Sequence, residues 1–408
     1  MIIRLLCSLL LAAAASAQVL VPPQPVAVVD TDGLAFGVAM AGPLALVSDH
    51  DAGVVVVDLS TPAAPVVRGS LDTPGFARNA AVVGWLACVV DRAEGLRLID
   101  VSDPDALVEL GSVDTPGLAL GVDAAGAYAY VADKGAGLQV VDISDPGAPV
   151  IVGSVDTPGF ASDVVVVGDL AYVADFDGGV RVIDVGDPTA PVEVGAYDTA
   201  GDANALDVVG GLCVVADSVG GVVVLDVSAP AAPALLGILP TVGLATEIVV
   251  DDDLALVAAG SDGLLVVSLA DPAAPQLVTS YATVDNAFHL GVFGRYVAVA
   301  CGAGGLEVVE VFAPEVAAPV PVSALQLGVA PNPFNPRTVV RFDVPRDGLV
   351  TLELVDLAGR RVRGLYHGAL AAGAHQVVVA ADGLASGVYL ARLVVGGAEA
   401  TRAVTLVR

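Results

Sequence analysis

A period of 42 residues constrains this chain more than any other feature. Gly53, Gly95, Gly137, Gly179, Gly221, Gly263 and Gly305 stand 42 apart, as do Pro62, Pro104, Pro146, Pro188, Pro230, Pro272 and Pro314. Ala35, Ala77, Ala119, Ala161, Ala203, Ala245 and Ala287 form a third column. Seven copies follow one another without insertion.

Within one copy, Asp156 to Tyr197, four short runs rich in Val, Ile, Leu and Tyr are separated by turn residues: 163–167, 170–174, 180–185 and 192–197. β-Branched runs of this length between Gly-Asp, Asp-Gly-Gly and Asp-Pro-x-x-Pro read as four strands, and nothing in the unit has a helical spacing. A repeated four-stranded unit of roughly 40–45 residues is the signature of a propeller blade. The fold class expected is therefore all-β, a seven-bladed β-propeller over residues 18–312. The ends of the array bear on closure. Counting one period back from Pro65 reaches Pro23, so Gln24–Val29 stands in the register of a fourth strand with no first three before it. Where the seventh copy should have its fourth strand, residues 317–322 carry Pro319 and Pro321, which remove ladder donors. The N-terminal strand is expected to complete the last blade and leave no open edge.

The runs Leu138–Pro146 (LQVVDISDP) and Val180–Pro188 (VRVIDVGDP) resemble the LVIVD repeat of bacterial surface propellers, over residues 24 to about 316. That resemblance implies architecture and a cell-surface location, and no particular activity.

Residues 1–17 hold one basic residue, Arg4, an apolar run and Ala15-Ser16-Ala17, the pattern of a secretory signal peptide. No other stretch is apolar for long enough to span a bilayer. The mature chain is expected to be exported, without a transmembrane segment and monomeric. Of the 46 acidic and 17 basic residues, six acids and nine bases lie beyond residue 323 and Arg4 precedes residue 18. That leaves 40 acids and 7 bases, a net of −33, for residues 18–323 of a chain whose total is −29. Such a surface repels nucleic acid. Most of these acids fall at strand ends in the repeat, where Asp is a turn residue. Cys88, Cys213 and Cys301 belong to non-adjacent copies, so buried free thiols are expected rather than disulfides.

Residues 313–323 are an Ala/Pro linker, and residues 324–408 read as a second domain of about seven strands, a small β-sandwich. Pro331-Asn332-Pro333-Phe334-Asn335-Pro336, Asp356-Leu357-Ala358-Gly359-Arg360, Ala385-Ser386-Gly387-Val388-Tyr389 and the closing strand around Arg402 resemble the C-terminal sorting domain of type IX secretion cargo. That domain is similar to the immunoglobulin-like domain of flagellar hook-capping proteins. Ala381 stands where many relatives carry a tryptophan, and the tail ends in Arg408. The resemblance implies an outer-membrane secretion translocon as partner and release from, or anchoring at, the outer-membrane surface.

Catalytic motifs are absent: there is no GxSxG, HExxH or P-loop. The copies differ most just after each Asp-Thr-Pro-Gly, where the chain enters the innermost strand beside the central channel. Arg78, Asn79, Asp163, Asn204, Glu247 and His289 stand there, and repeat proteins write binding where they depart from their own consensus. These six are the candidate ligand contacts, for an unknown surface protein or glycan. Asp163, Glu247 and His289 share one column and could converge on a cation, or on a hydrolase or lyase site with His289 as base. Asp49, Asp51, Asp175 and Asp177 lie in two DxDxG loops, a form found in calcium sites, but without the distant bidentate Glu of an EF-hand. Ordinary Asp-Gly turns are the simpler reading, and no catalytic or metal residue is assigned.

Overall fold

A computed structural model describes residues 20–312 and, beyond them, 327–335, 337–344, 348–355, 361–370, 373–381, 384, 386–395 and 398–407. The expected signal peptide, the Ala/Pro linker, Pro336 and the turn at 356–360 lie outside the described residues. The chain divides into two compact units, Met1–Pro314 and Glu315–Arg408.

The first unit contains seven antiparallel four-stranded sheets and no helix among its described residues. In the fourth copy the strands are Asp163–Val167, Leu170–Ala174, Val180–Asp184 and Val192–Tyr197, paired in that order. The second strand is almost wholly buried and the fourth is half exposed, because the sheets stack face to face over the second strand and the outermost strand meets water. This is the repeated-sheet architecture of a β-propeller.

In the sheet built from His289–Phe293, Tyr296–Ala300 and Leu306–Phe312, the fourth strand is the N-terminal segment Leu20–Val29. Its register pairs Val29 with Leu306, Val28 with Glu307 and Ala27 with Val308. It begins four residues before the expected Gln24; Gln24 itself pairs with Glu310.

The repeat columns have physical causes. Each alanine of the third column is fully buried and bridges to a loop of a neighbouring copy, as when Lys134 N–H donates to Ala161 O at 2.9 Å and Ala161 N–H returns to Lys134 O at 3.0 Å. Seven such bridges occur, and one of them joins Ala35 to Gly302, the first copy to the last. Gly179 sits at φ 74°, where a Cβ would lie 2.4 Å from Tyr197 O. Only glycine fits there. A fourth column went unnoticed in the sequence. Asp49, Asp91, Asp133, Asp175 and Asp217 are fully buried. The Thr115 hydroxyl donates to Asp133 Oδ1 at 2.8 Å and Gly117 N–H donates to Oδ2 at 2.8 Å, so the carboxyl clamps the Thr-Pro-Gly crossover to the loop beside it. The seventh copy has Cys301 in that column, and Glu307 replaces the clamp by accepting from Tyr281 Oη at 2.7 Å and Val284 N–H at 2.9 Å.

The second unit has seven strands among its described residues. Leu327–Ala330, Arg337–Val344 and Gly373–Ala380 form one sheet. Arg361–Leu370, Gly348–Val355, Gly387–Val395 and Ala398–Leu406 form the other. Phe334, Val340, Phe342, Leu352 and Leu393 belong to one apolar core fed by both sheets. Asn332 fixes the proline motif to the last strand, its Nδ2 donating to Ala403 O at 2.8 Å and its Oδ1 accepting from Thr405 N–H at 2.8 Å.

Candidate functional site

Asn79, Asp163, Glu247 and His289 each open the innermost strand of their sheet, and Arg78 and Asn204 come immediately before it. The repeat sets these positions at the same end of their innermost strands; Arg78, from the second copy, is close enough to Asp163 and Glu247, from the fourth and sixth, to interact with them electrostatically.

Adjacent innermost strands have no backbone ladder between them, so their amides need other partners. Asp163 Oδ2 accepts from Leu206 N–H of the next copy at 3.2 Å. Asn204 Nδ2 donates to Ala245 O at 2.8 Å. Two residues deeper, Asp123 accepts from Val166 N–H at 2.8 Å and Asp207 from Val250 N–H at 2.7 Å. Sequence reasoning missed this second pair, although an Asp inside the apolar runs Gly121–Ala125 and Ala205–Val209 was a visible signal. Asn79 accepts from Ala80 N–H at 2.7 Å. Much of the polar lining therefore stitches copy to copy.

Glu247 and His289 join the sixth and seventh copies side chain to side chain. Glu247 Oε2 and His289 Nε2 lie 3.1 Å apart, and Nδ1 of His289 is buried with no hydrogen-bond partner among the described residues. Burial pushes the imidazole down to about 4, helped by the Arg78 guanidinium. Burial, followed by the charge of Asp163, pushes the Glu247 carboxyl well above the usual carboxylate range. Their separation is that of an ion pair, but both shifts favour the uncharged forms. Asp163 is raised to about 7, burial being the largest cause and the charges of Asp123 and Asp207 adding to it. The Arg78 guanidinium lies 5.2 Å from the Phe36 ring centroid.

Glu247 and His289 meet, but among the described residues no group of three or more His, Cys, Asp and Glu is arranged to hold a metal ion. In the DxDxG loops Asp49 and Asp175 turn inward as clamps. Asp49 accepts from the Thr31 hydroxyl at 2.7 Å and Gly33 N–H at 2.8 Å, and Asp175 from the Thr157 hydroxyl at 2.5 Å and Gly159 N–H at 2.8 Å. Asp51 and Asp177 are exposed. The inner carboxylate of each loop thus serves a crossover. Cys88, Cys213 and Cys301 are free and buried, and burial pushes the Cys88 thiol up to about 12, so none is a poised nucleophile. Among the described residues no helix is long and apolar enough to cross a membrane.

The LVIVD repeat model matches six consecutive units, residues 32–73, 74–115, 116–157, 158–199, 200–241 and 242–283, more than half of the chain. The chain belongs to the LVIVD-repeat family. No curated protein matches this LVIVD-repeat chain in sequence. Solved structures share its fold at low identity. A chain of a mitotic checkpoint complex has a TM-score of 0.61 at 11% identity, covering 71% of this chain and 96% of that one. The computationally designed Ika8 protein has 0.54 at 11%, covering 70% and 99%. Sqt1 of Saccharomyces cerevisiae has 0.54 at 8%, covering 71% and 99%. At such identities the likeness concerns the fold alone.

Proposed function

We propose that this LVIVD-repeat protein is a secreted, non-enzymatic cell-surface protein whose propeller is a rigid binding platform. In this reading the seven sheets are seven blades of a ring closed by the N-terminal strand, and residues 324–408 are an immunoglobulin-like domain that a type IX translocon reads during export. One observation carries the platform reading: the copies are nearly uniform through their sheets and differ on one face, where the crossovers enter the innermost strands. The ligand is a surface protein or glycan that meets that face, with Arg78 and the His289–Glu247 pair at its centre. A hydrolase or lyase is the second reading, because a neutral histidine beside a carboxyl is a possible general base. It is the weaker one, since no hydroxyl or thiol among the described residues hydrogen-bonds to His289 and the Nδ1 atom lacks an orienting partner.

The test has two parts. Fusing residues 324–408 to a periplasmic reporter in a type IX-competent host should carry the reporter to the cell surface; retention in the periplasm sinks the sorting reading. Mature protein incubated with intact cells and with a glycan array should retain a specific surface component. Failure to retain anything in either format sinks the platform reading.

A further inference from the structure

The propeller has seven basic residues, and four of them are held by carboxylates: Arg68 by Asp105, Arg97 by Glu109, Arg181 by Asp198 and Arg295 by Glu310. Arg78, Arg92 and Lys134 have no ion-pair partner among the described residues, and all three lie on the face that carries the channel-mouth residues. Arg78 leads into the innermost strand of the second copy. Arg92 and Lys134 occupy the same loop position one copy apart, each bridged to the alanine that precedes the next innermost strand.

That loop position has a positive φ in every copy. It is 55° at His50, 53° at Arg92, 50° at Lys134, 49° at Phe176 and 50° at Ser218, and Gly260 and Gly302 occupy it in the last two copies. Four consecutive copies thus hold a large side chain where glycine is the unstrained choice. Aromatic rings lie between the cations. His50 stacks on Phe76 at 4.3 Å, Phe36 lies 4.7 Å from Phe288, and Lys134 Nζ sits 5.4 Å from the Phe160 ring. Phe76 and Phe160 are 45% and 46% exposed. Cations and rings therefore run in an arc from the seventh copy through the first to the fourth, and the fifth and sixth contribute Ser218 and Gly260.

We propose that this arc docks an acidic segment of a partner protein, a few carboxylates interspersed with aliphatic or aromatic side chains; this rests on the platform reading above. Charge complementarity selects the occupant: three cations without ion-pair partners among the described residues, on a face that also carries the exposed Phe76 and Phe160 rings, in a chain of net charge −29, call for carboxylates flanked by apolar groups. A long polyanion would meet repulsion from the rest of the surface, whereas a short segment meets fewer of its carboxylates. A neutral or acidic glycan is disfavoured because the nearby polar side chains already serve backbone carbonyls, as Ser162 does with Asn204 O at 2.8 Å and Thr246 with Ala287 O at 3.2 Å.

The experiment uses the mature chain and the double variant Arg92→Ser, Lys134→Ser, which borrows the residue that the fifth copy already carries in this conformation. Four labelled probes are titrated by anisotropy: a short peptide alternating Glu and Phe, its Gln-for-Glu counterpart, oligogalacturonate, and phosphatidylglycerol vesicles. The expected result is binding of the Glu-Phe peptide that weakens with salt, is lost for the Gln peptide, and falls by roughly tenfold in the variant, about 1.4 kcal/mol, with an unchanged melting transition. Equal binding of the Gln peptide, equal binding by the variant, preference for oligogalacturonate or vesicles, or no binding of any probe overturns the proposal. Retention of the same component from intact cells by wild type and variant alike would overturn this inference and leave the platform reading standing. Retention of nothing by the wild type would remove both.

Discussion

Replacing Asp163 by Asn should make the protein more stable at pH 7, with the gain shrinking as pH falls and gone by about pH 4. Asp163 is 9% exposed and its carboxyl titrates near pH 7 in the fold. An unfolded aspartate titrates near 3.9, so the folded state binds this proton more tightly by on the order of 4 kcal/mol. A folded pKa raised above the unfolded one gives stability that is fully present below about pH 4 and is lost as pH rises through 7. Asn keeps an acceptor for Leu206 N–H and cannot ionise. Calorimetry of the mature chain between about pH 4 and 8 should therefore show the wild-type propeller transition falling from about pH 4 to 7 and levelling above 7, with a shallower fall in the Asp163→Asn variant. General charge repulsion does not explain the part of this fall between pH 6 and 7, because exposed carboxylates are already ionised by pH 6. A wild-type transition that is flat or rises over this range, or an Asn variant that keeps the wild-type slope, refutes the argument.

Glu247→Gln should flatten the same slope, and the double variant should gain less than the sum of the two, because the Asp163 charge is one cause of the Glu247 shift; additive gains would show that the two carboxyls do not interact. Asp133→Ala should destabilise the propeller by roughly 2–5 kcal/mol, since it strands the buried Thr115 hydroxyl and the Gly117 amide, and urea titration with a midpoint at the wild-type value would remove the clamp. Deleting residues 20–29 exposes Leu306–Phe312 as an unpaired edge; lower melting and self-association on size exclusion are expected, and a monomer of unaltered stability would mean that this strand is dispensable.

The repeat made most of the fold legible. Strand positions in the fourth copy follow from alternating Val-rich runs and Asp-Gly punctuation to within one residue, because both the runs and the turns are local chemistry. The pairing of Val29 with Leu306 was legible for another reason, since seven copies in one register leave one strand over at the N-terminus and one lacking near residue 317. The site was legible only in part. Variation between copies marked the face, and Glu247 and His289 do meet on it. The sequence does not say which polar residues are engaged. Asp163 and Asn204 spend hydrogen bonds on the neighbouring copy, Asp49 and Asp175 close crossovers, and Arg92 and Lys134 have no ion-pair partner among the described residues, Lys134 beside the exposed Phe160 ring. Each of those outcomes depends on which side chain from another copy lies within about 3 Å, a distance that the repeat period does not encode. Local propensity and periodicity determined the strands; packing between copies decided the protonation of Asp163, the neutrality of His289 and the cations left free to bind.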